Sequence, residues 1–232
     1  MKKNAARLRQ ALSASHALAS ALDEDGFPLE ELAVVQDWQR ERLEKSYRDL
    51  TSQQRYRAAG DFFLSELYGG LHFRERDQEM ERVLPVMVRM LRDDMLLALA
   101  ESFELQTLSL EFDISMVTAL RQSRWHTLNT ARYGAIYRTV GRASGRERQI
   151  DLIRHLGLVL NKLVHHRLVL LLIRTLRGPA RAAGFGLLQS FLEKGLFAFR
   201  EMGDGTTFVE TIWQKEHEVK RRLIAGDDQP FT

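Results

Sequence analysis

The chain has 232 residues, 44% hydrophobic and 28% charged, with a formal net charge of +3. That balance belongs to a folded chain with one large core or two small ones, and it excludes extended disorder. The absence of cysteine excludes disulfides, thiolate chemistry and cysteine-ligated zinc together, and 4 prolines with 15 glycines are too few for a turn-rich sheet fold.

The opening MKKNAARLRQALSASHALASAL has the basic start and small residues of a secretory leader. Arg9, Gln10 and His16 interrupt it, so the expectation is a weakly amphipathic helix from about Ala5 to Leu22 in a cytoplasmic protein. The longest purely apolar run, Leu168 to Ile173, is far short of the ~20 residues that cross a bilayer, and no membrane span is expected. After the acidic turn DEDGFP, Pro28 opens a helix to about Leu50. Three Ser/Thr-x-x-Glu/Gln boxes, Thr51 to Gln54, Ser144 to Glu147 and Thr207 to Glu210, each predict a helix start. The first opens a helix that ends at Gly69-Gly70.

Met80, Val83, Leu84, Met87, Val88 and Leu91 then recur at helical spacing around Pro85, which should kink their helix. Asp93 caps a helix to about Leu120, with an interruption near Thr107; helices over about Thr127 to Val140 and Ser144 to Val164 follow. Arg167 to Leu176 reads as a short, mostly buried helix, Pro179 as a first-turn residue of the next, and Thr207 to Gly226 as the last. The fold class is therefore all-α, a single compact bundle of about eight helices with no sheet. A loosely packed N-terminal helical segment covers 1–28, the bundle domain 29–226 and a flexible tail 227–232.

The densest apolar stretch is DFFLSELYGG, residues 61–70. At helical spacing Phe63, Leu64, Leu67 and Tyr68 cover one face, while Phe62 joins a second stripe with Arg55, Ala59 and Glu66. Clustered aromatics in this pattern read as core, and truncating Phe62 or Phe63 there would cost about 3–5 kcal/mol each. FFLSELY resembles the signature of the bacterial family named for its FFLEELY motif, with Ser65 where that pattern has its first glutamate. ERVLP and GPARAAGFGLLQSFLEKG are similar in style to the same family, so the resemblance extends from about Gln36 onward. It implies an all-helical build and carries no activity with it. Ser65 leaves Glu66 as the motif's one carboxylate.

No catalytic, metal or cofactor site is expected. His155 and His166 share a helix face but stand about 16 Å apart along it, too far for shared coordination. His165 and His166 are adjacent and point apart, His217 lacks Glu-x-x-His spacing, and no phosphate loop or nucleophile elbow is present. Asp151 and His155, four apart, are spaced to pair. GRASGRERQ, residues 141–149, puts glycines and arginines before a helix start, a geometry suited to an anion.

Charge is strongly segregated. Residues 121–181 carry 13 basic and 2 acidic side chains, and residues 61–120 carry 5 basic and 12 acidic. Twelve of the thirteen are arginine, in a chain with 27 Arg against 7 Lys. The favoured explanation is internal neutralisation of one segment by the other; the alternatives are an arginine face for an external anion or an acidic protein partner. The functional expectation is a non-catalytic helical protein acting through contacts with an unknown protein partner or through self-association. One alternative is nucleic-acid or anionic-ligand binding through Arg124, Arg132, Arg138, Arg142, Arg146 and Arg148, with nucleic acid not favoured. The other is an apolar-ligand or haem pocket between helices.

Overall fold

One helix without a continuous polar face dictates how the rest of the chain is arranged. The structure, a computed structural model, describes residues 2–64, 79, 82–85, 88–89, 91–184 and 186–232, and among these every regular element is helical. In chain order we number α1 (Asn4–Ala21), α2 (Leu29–Thr51), α3 (Gln54–Phe62), α4 (Asp93–Gln122) and α5 (Thr130–Val140). Next come α6 (Ala143–Leu163), α7 (Arg167–Ala182), α8 (Gly186–Met202) and α9 (Thr206–Ala225).

The 30-residue α4 has apolar residues around much of its circumference, the pattern of a helix that must be covered on several sides. Its first half, through Leu96, Ala100 and Phe103, packs with Ala5, Leu8 and Leu12 of α1 and with Leu84. Its second half, through Leu110, Met116, Val117 and Leu120, packs with Leu32 and Val35 of α2, Tyr133 and Ile136 of α5, and Val219 and Leu223 of α9. The interruption expected near Thr107 does not occur, because packing on both halves overrides the weak local propensity of a β-branched residue. A third cluster joins Tyr56 and Ala59 of α3, Val164 at the end of α6, Leu196 and Phe199 of α8, and Phe208 and Val209 of α9.

The helix starts differ from the capping-box expectations. Thr51 ends α2, its hydroxyl donating back to the Tyr47 carbonyl at 3.0 Å. Ser144 already lies inside α6, whose N-cap is Arg142. At α9 the cap comes from Asp204, whose Oδ1 accepts from the Thr206 amide at 3.0 Å and hydroxyl at 2.7 Å. Those hydrogen bonds, with one from Asn161, hold the Asp204 carboxyl down at about 2. Asp93 does not cap α4; its carboxylate accepts from the Asn4 amide at 2.9 Å and so anchors the start of α1. Asn129 does cap α5, accepting from the Arg132 amide.

Two further expectations are corrected near the C-terminal third. The helix begun at Arg167 does not stop at Leu176 but runs to Ala182, so Pro179 sits near the end of α7 and not in a first turn. Nor is that helix mostly buried, since Leu171 is 58% exposed. The last residues fold back: Pro230 is buried, and Phe231 packs edge-on to Trp38 at 5.6 Å between ring centres. Gly69-Gly70 and most of the helix expected around Pro85 lie outside the described residues.

Glycines allow close helix approaches at several places, two of them around α8 and α6. A β-carbon at Gly195 of α8 would sit 2.8 Å from the Phe62 ring, and one at Gly157 of α6 would sit 2.8 Å from a Val209 methyl. By contrast, a β-carbon at Gly178 of α7 meets nothing within 4 Å. Gly195→Val should therefore overpack the α3–α8 contact by about 1–3 kcal/mol and lower the melting temperature by several degrees. Gly178→Ala should hold or raise it through helix propensity. Thermal unfolding followed by circular dichroism checks both.

Candidate functional site

Between the helices lies a cavity of about 1020 Å³, lined mostly by apolar side chains. It follows α4 from Met95 to Asp113, a rise of roughly 27 Å at the ordinary helical pitch. Its apolar part is formed by Leu99 and Phe103 of α4, Ile153 and Leu160 of α6, and Phe191 and Phe199 of α8. Phe62, Phe63 and Leu64 close one side. Phe62 is buried against Phe191 and Gly195, whereas Phe63 and Leu64 are half-buried, Phe63 touching Phe199 and Phe208. Glu66, Leu67 and Tyr68 lie outside the described residues.

The other end of the cavity is polar. Gln36, Gln39, Arg42 and Tyr47 reach it from α2, Asp113 from α4, Tyr133 and Tyr137 from α5, Arg146 and Gln149 from α6, and Glu216 from α9. Arg42 and Glu216 form a bidentate pair at 2.5 and 3.1 Å, and the Tyr47 hydroxyl donates to the same carboxylate at 2.6 Å. Burial works against the Arg42 charge, but the adjacent Glu216 carboxylate overrides it and holds the guanidinium firmly protonated. The Asp113 carboxylate accepts from Gln36 at 3.0 Å and Gln39 at 3.1 Å. Burial nevertheless pushes its carboxyl up, more than the amides and Arg146 pull it down. Burial likewise raises Tyr133 and pushes the Tyr137 phenol up to about 12, so both remain neutral donors.

Arg146 is the outlier in this group. Only 6% exposed, it lies 3.7 Å from the Phe112 ring centre and 4.6 Å from that of Tyr137. Its Nε and Nη2 are buried and meet no hydrogen-bond partner among the described residues. A cation in this setting gains from the ring faces but leaves two N–H groups unmatched.

The six arginines singled out in the sequence do not share one face. Arg142 pairs with Glu111 at 2.9 Å and Arg148 with Glu104 at 3.4 Å, so these two are neutralised by the acidic segment. Arg138 donates to the Leu223 carbonyl at 3.1 Å, and Arg132 to Thr127. Arg124 is exposed in a left-handed conformation, φ 55°, and Arg146 turns inward. The expected Asp151–His155 pair does not form: Asp151 accepts from Trp213 at 2.9 Å and lies 3.4 Å from His217, while His155 faces Glu101 at 3.1 Å. Among the described residues no group of three or more His, Cys, Asp or Glu is placed to hold a metal ion, and no helix is long and apolar enough to cross a membrane.

Sequence reasoning missed most of the polar end, yet a signal for it exists. Gln39 falls between Val35 and Leu43 on the inward stripe of α2, Asp113 between Leu110 and Met116 on that of α4, and Arg146 four before Ile150 on that of α6. A polar residue in phase with an apolar stripe is aimed inward and must find a partner there.

No curated protein and no solved structure gives a significant match to this chain. Residues 15–230 match the model of a family described as a domain of unknown function, DUF8198, and the chain belongs to that family.

Proposed function

We propose that the protein binds an elongated apolar small molecule inside the bundle. The observation that carries this reading is the cavity of about 1020 Å³ running beside α4. Ligand pockets commonly span ~300–1,000 Å³ and combine apolar walls with a few convergent polar groups, the arrangement seen here. The reading assigns binding and no bond-making chemistry. We also read the chain as one of the bacterial FFLEELY-motif proteins and as cytoplasmic; the FFLSELY stretch and the cysteine-free composition support these and bear on no activity.

A neutral solvatochromic dye such as Nile red should bind saturably, about one per chain, with blue-shifted emission. Leu99→Trp or Leu160→Trp, which place an indole in the cavity, should abolish the signal, while Leu171→Ser on the surface should leave it unchanged. Non-saturable binding, or binding indifferent to both tryptophans, would show that the chain itself fills this space.

A second reading, contact with a protein partner or with a second copy, is supported by apolar residues on the outside of α7 and α8. Leu171 is 58%, Leu187 47% and Phe197 66% exposed. Apolar residues gathered into one patch on a surface commonly mark a contact with a partner. If they mediate self-association, Phe197→Asp should shift the sedimentation coefficient at micromolar concentration toward that of the monomer; an unchanged coefficient would remove Phe197 from any self-contact.

A further inference from the structure

We infer, building on the cavity as a ligand site, that its ligand is a long-chain carboxylic acid whose carboxylate sits on Arg146 and whose chain runs along α4 toward Met95 and Phe199. Three observations carry this.

The first is the geometry of Arg146. The Phe112 and Tyr137 rings lie 3.7 and 4.6 Å from its Cζ and offer π contact but no hydrogen-bond acceptor in the plane of the guanidinium. The two unmatched atoms are Nε and Nη2, whose N–H bonds are nearly parallel and form one edge of the guanidinium fork. That edge fits the two oxygens of a planar carboxylate, the strongest pairing a guanidinium makes.

The second is the charge inventory around it. Arg42 already holds Glu216 through two bonds, so that pair is internally balanced. The two oxygens of Asp113 accept from Gln36 and Gln39; this carboxylate and Arg146 act on each other only through space, and among the described residues no acceptor meets Nε or Nη2 of Arg146. Buried N–H groups of a cation without an acceptor are costly, and a ligand carboxylate supplies one.

The third is polarity along the cavity. Asp113, Tyr133, Tyr137 and Arg146 cluster on the cavity wall, and although Arg82, Arg92, Gln106 and Gln189 also line it, much of the wall beyond that cluster, at Leu99, Phe103, Phe191 and Phe199, is apolar. A molecule with one anionic end and a long hydrocarbon body matches both halves, and an apolar molecule without the anion matches one.

The test compares hexadecanoic acid with hexadecan-1-ol as competitors for bound Nile red, at about pH 8 where the free acid is ionised. The acid should bind at least about tenfold more tightly than the alcohol, the 1.4 kcal/mol expected at minimum of a charge-assisted pair. In Arg146→Gln the acid should lose that advantage while the alcohol changes by less than about threefold. Arg142→Gln, whose side chain pairs with Glu111 outside the cavity, should retain it. Equal displacement by acid and alcohol in the unmutated protein overturns the inference and leaves the cavity reading standing; that comparison needs no variant, so it decides even if Arg146→Gln fails to fold. Displacement by neither compound, with the dye unbound or bound elsewhere, removes the cavity reading itself.

Discussion

Helix α4 carries apolar side chains over so much of its circumference that it has to be enclosed, and enclosure is the constraint from which the rest of the bundle follows. Covering it takes α1 along its first half and α2, α5 and α9 along its second. The helix also carries carboxylates, and each draws a particular neighbour: Glu104 takes Arg7 at 2.6 Å and Arg148, Glu111 takes Arg142, and Asp113 takes the two glutamines of α2. The acidic residues of one segment thereby place several of the basic residues of another. Surface ion pairs of this kind contribute little stability each, but like-charge contact would cost at every wrong register, so their effect is mainly on which arrangement is chosen.

Around that helix the neighbours are not equally close. Where glycine stands, at Gly157 against Val209 and Gly195 against Phe62, backbone meets side chain directly. Beside α4, long side chains such as Phe103, Phe199, Tyr137 and Arg146 face inward from several helices at once. Interhelical distance follows the side chains at the contact. The same bundle is therefore tight at its glycine contacts and open along one flank of α4, and the cavity is the difference between the two.

Helix positions were legible in the sequence because apolar spacing at 3.6 residues survives for most of the chain: α1, α2 and α6 begin and end within about two residues of the periodicity reading, the usual disagreement at helix ends. Their caps were less so. A Ser/Thr-x-x-Glu/Gln pattern is local; Thr51 satisfies its hydroxyl on the preceding turn instead, and Asp93 and Asn161 spend their hydrogen bonds on partners that only the fold decides. Pro179 misled for a different reason: a proline usually opens a helix, but here it stands three residues before the end of α7. The segregated charge was visible as a total, but the fate of individual arginines was not. Arg142 and Arg146 are separated by one helical turn and read alike in sequence, yet one reaches Glu111 at the surface and the other is enclosed by Phe112 and Tyr137. Only the phase of Arg146 with Ile150 distinguishes them, and a single turn of a helix is a short stretch on which to judge phase.

The pairing of Arg42 with Glu216 has a temporal side. The two residues are separated by 174 positions, and every other residue that forms the polar end comes from α2, α4, α5 or α6. Until α9 is in place Arg42 has no carboxylate beside it, and a cation without a partner favours water over burial. The polar end can be sealed only once the last helix has docked, so its integrity reports on the C-terminal end of the bundle.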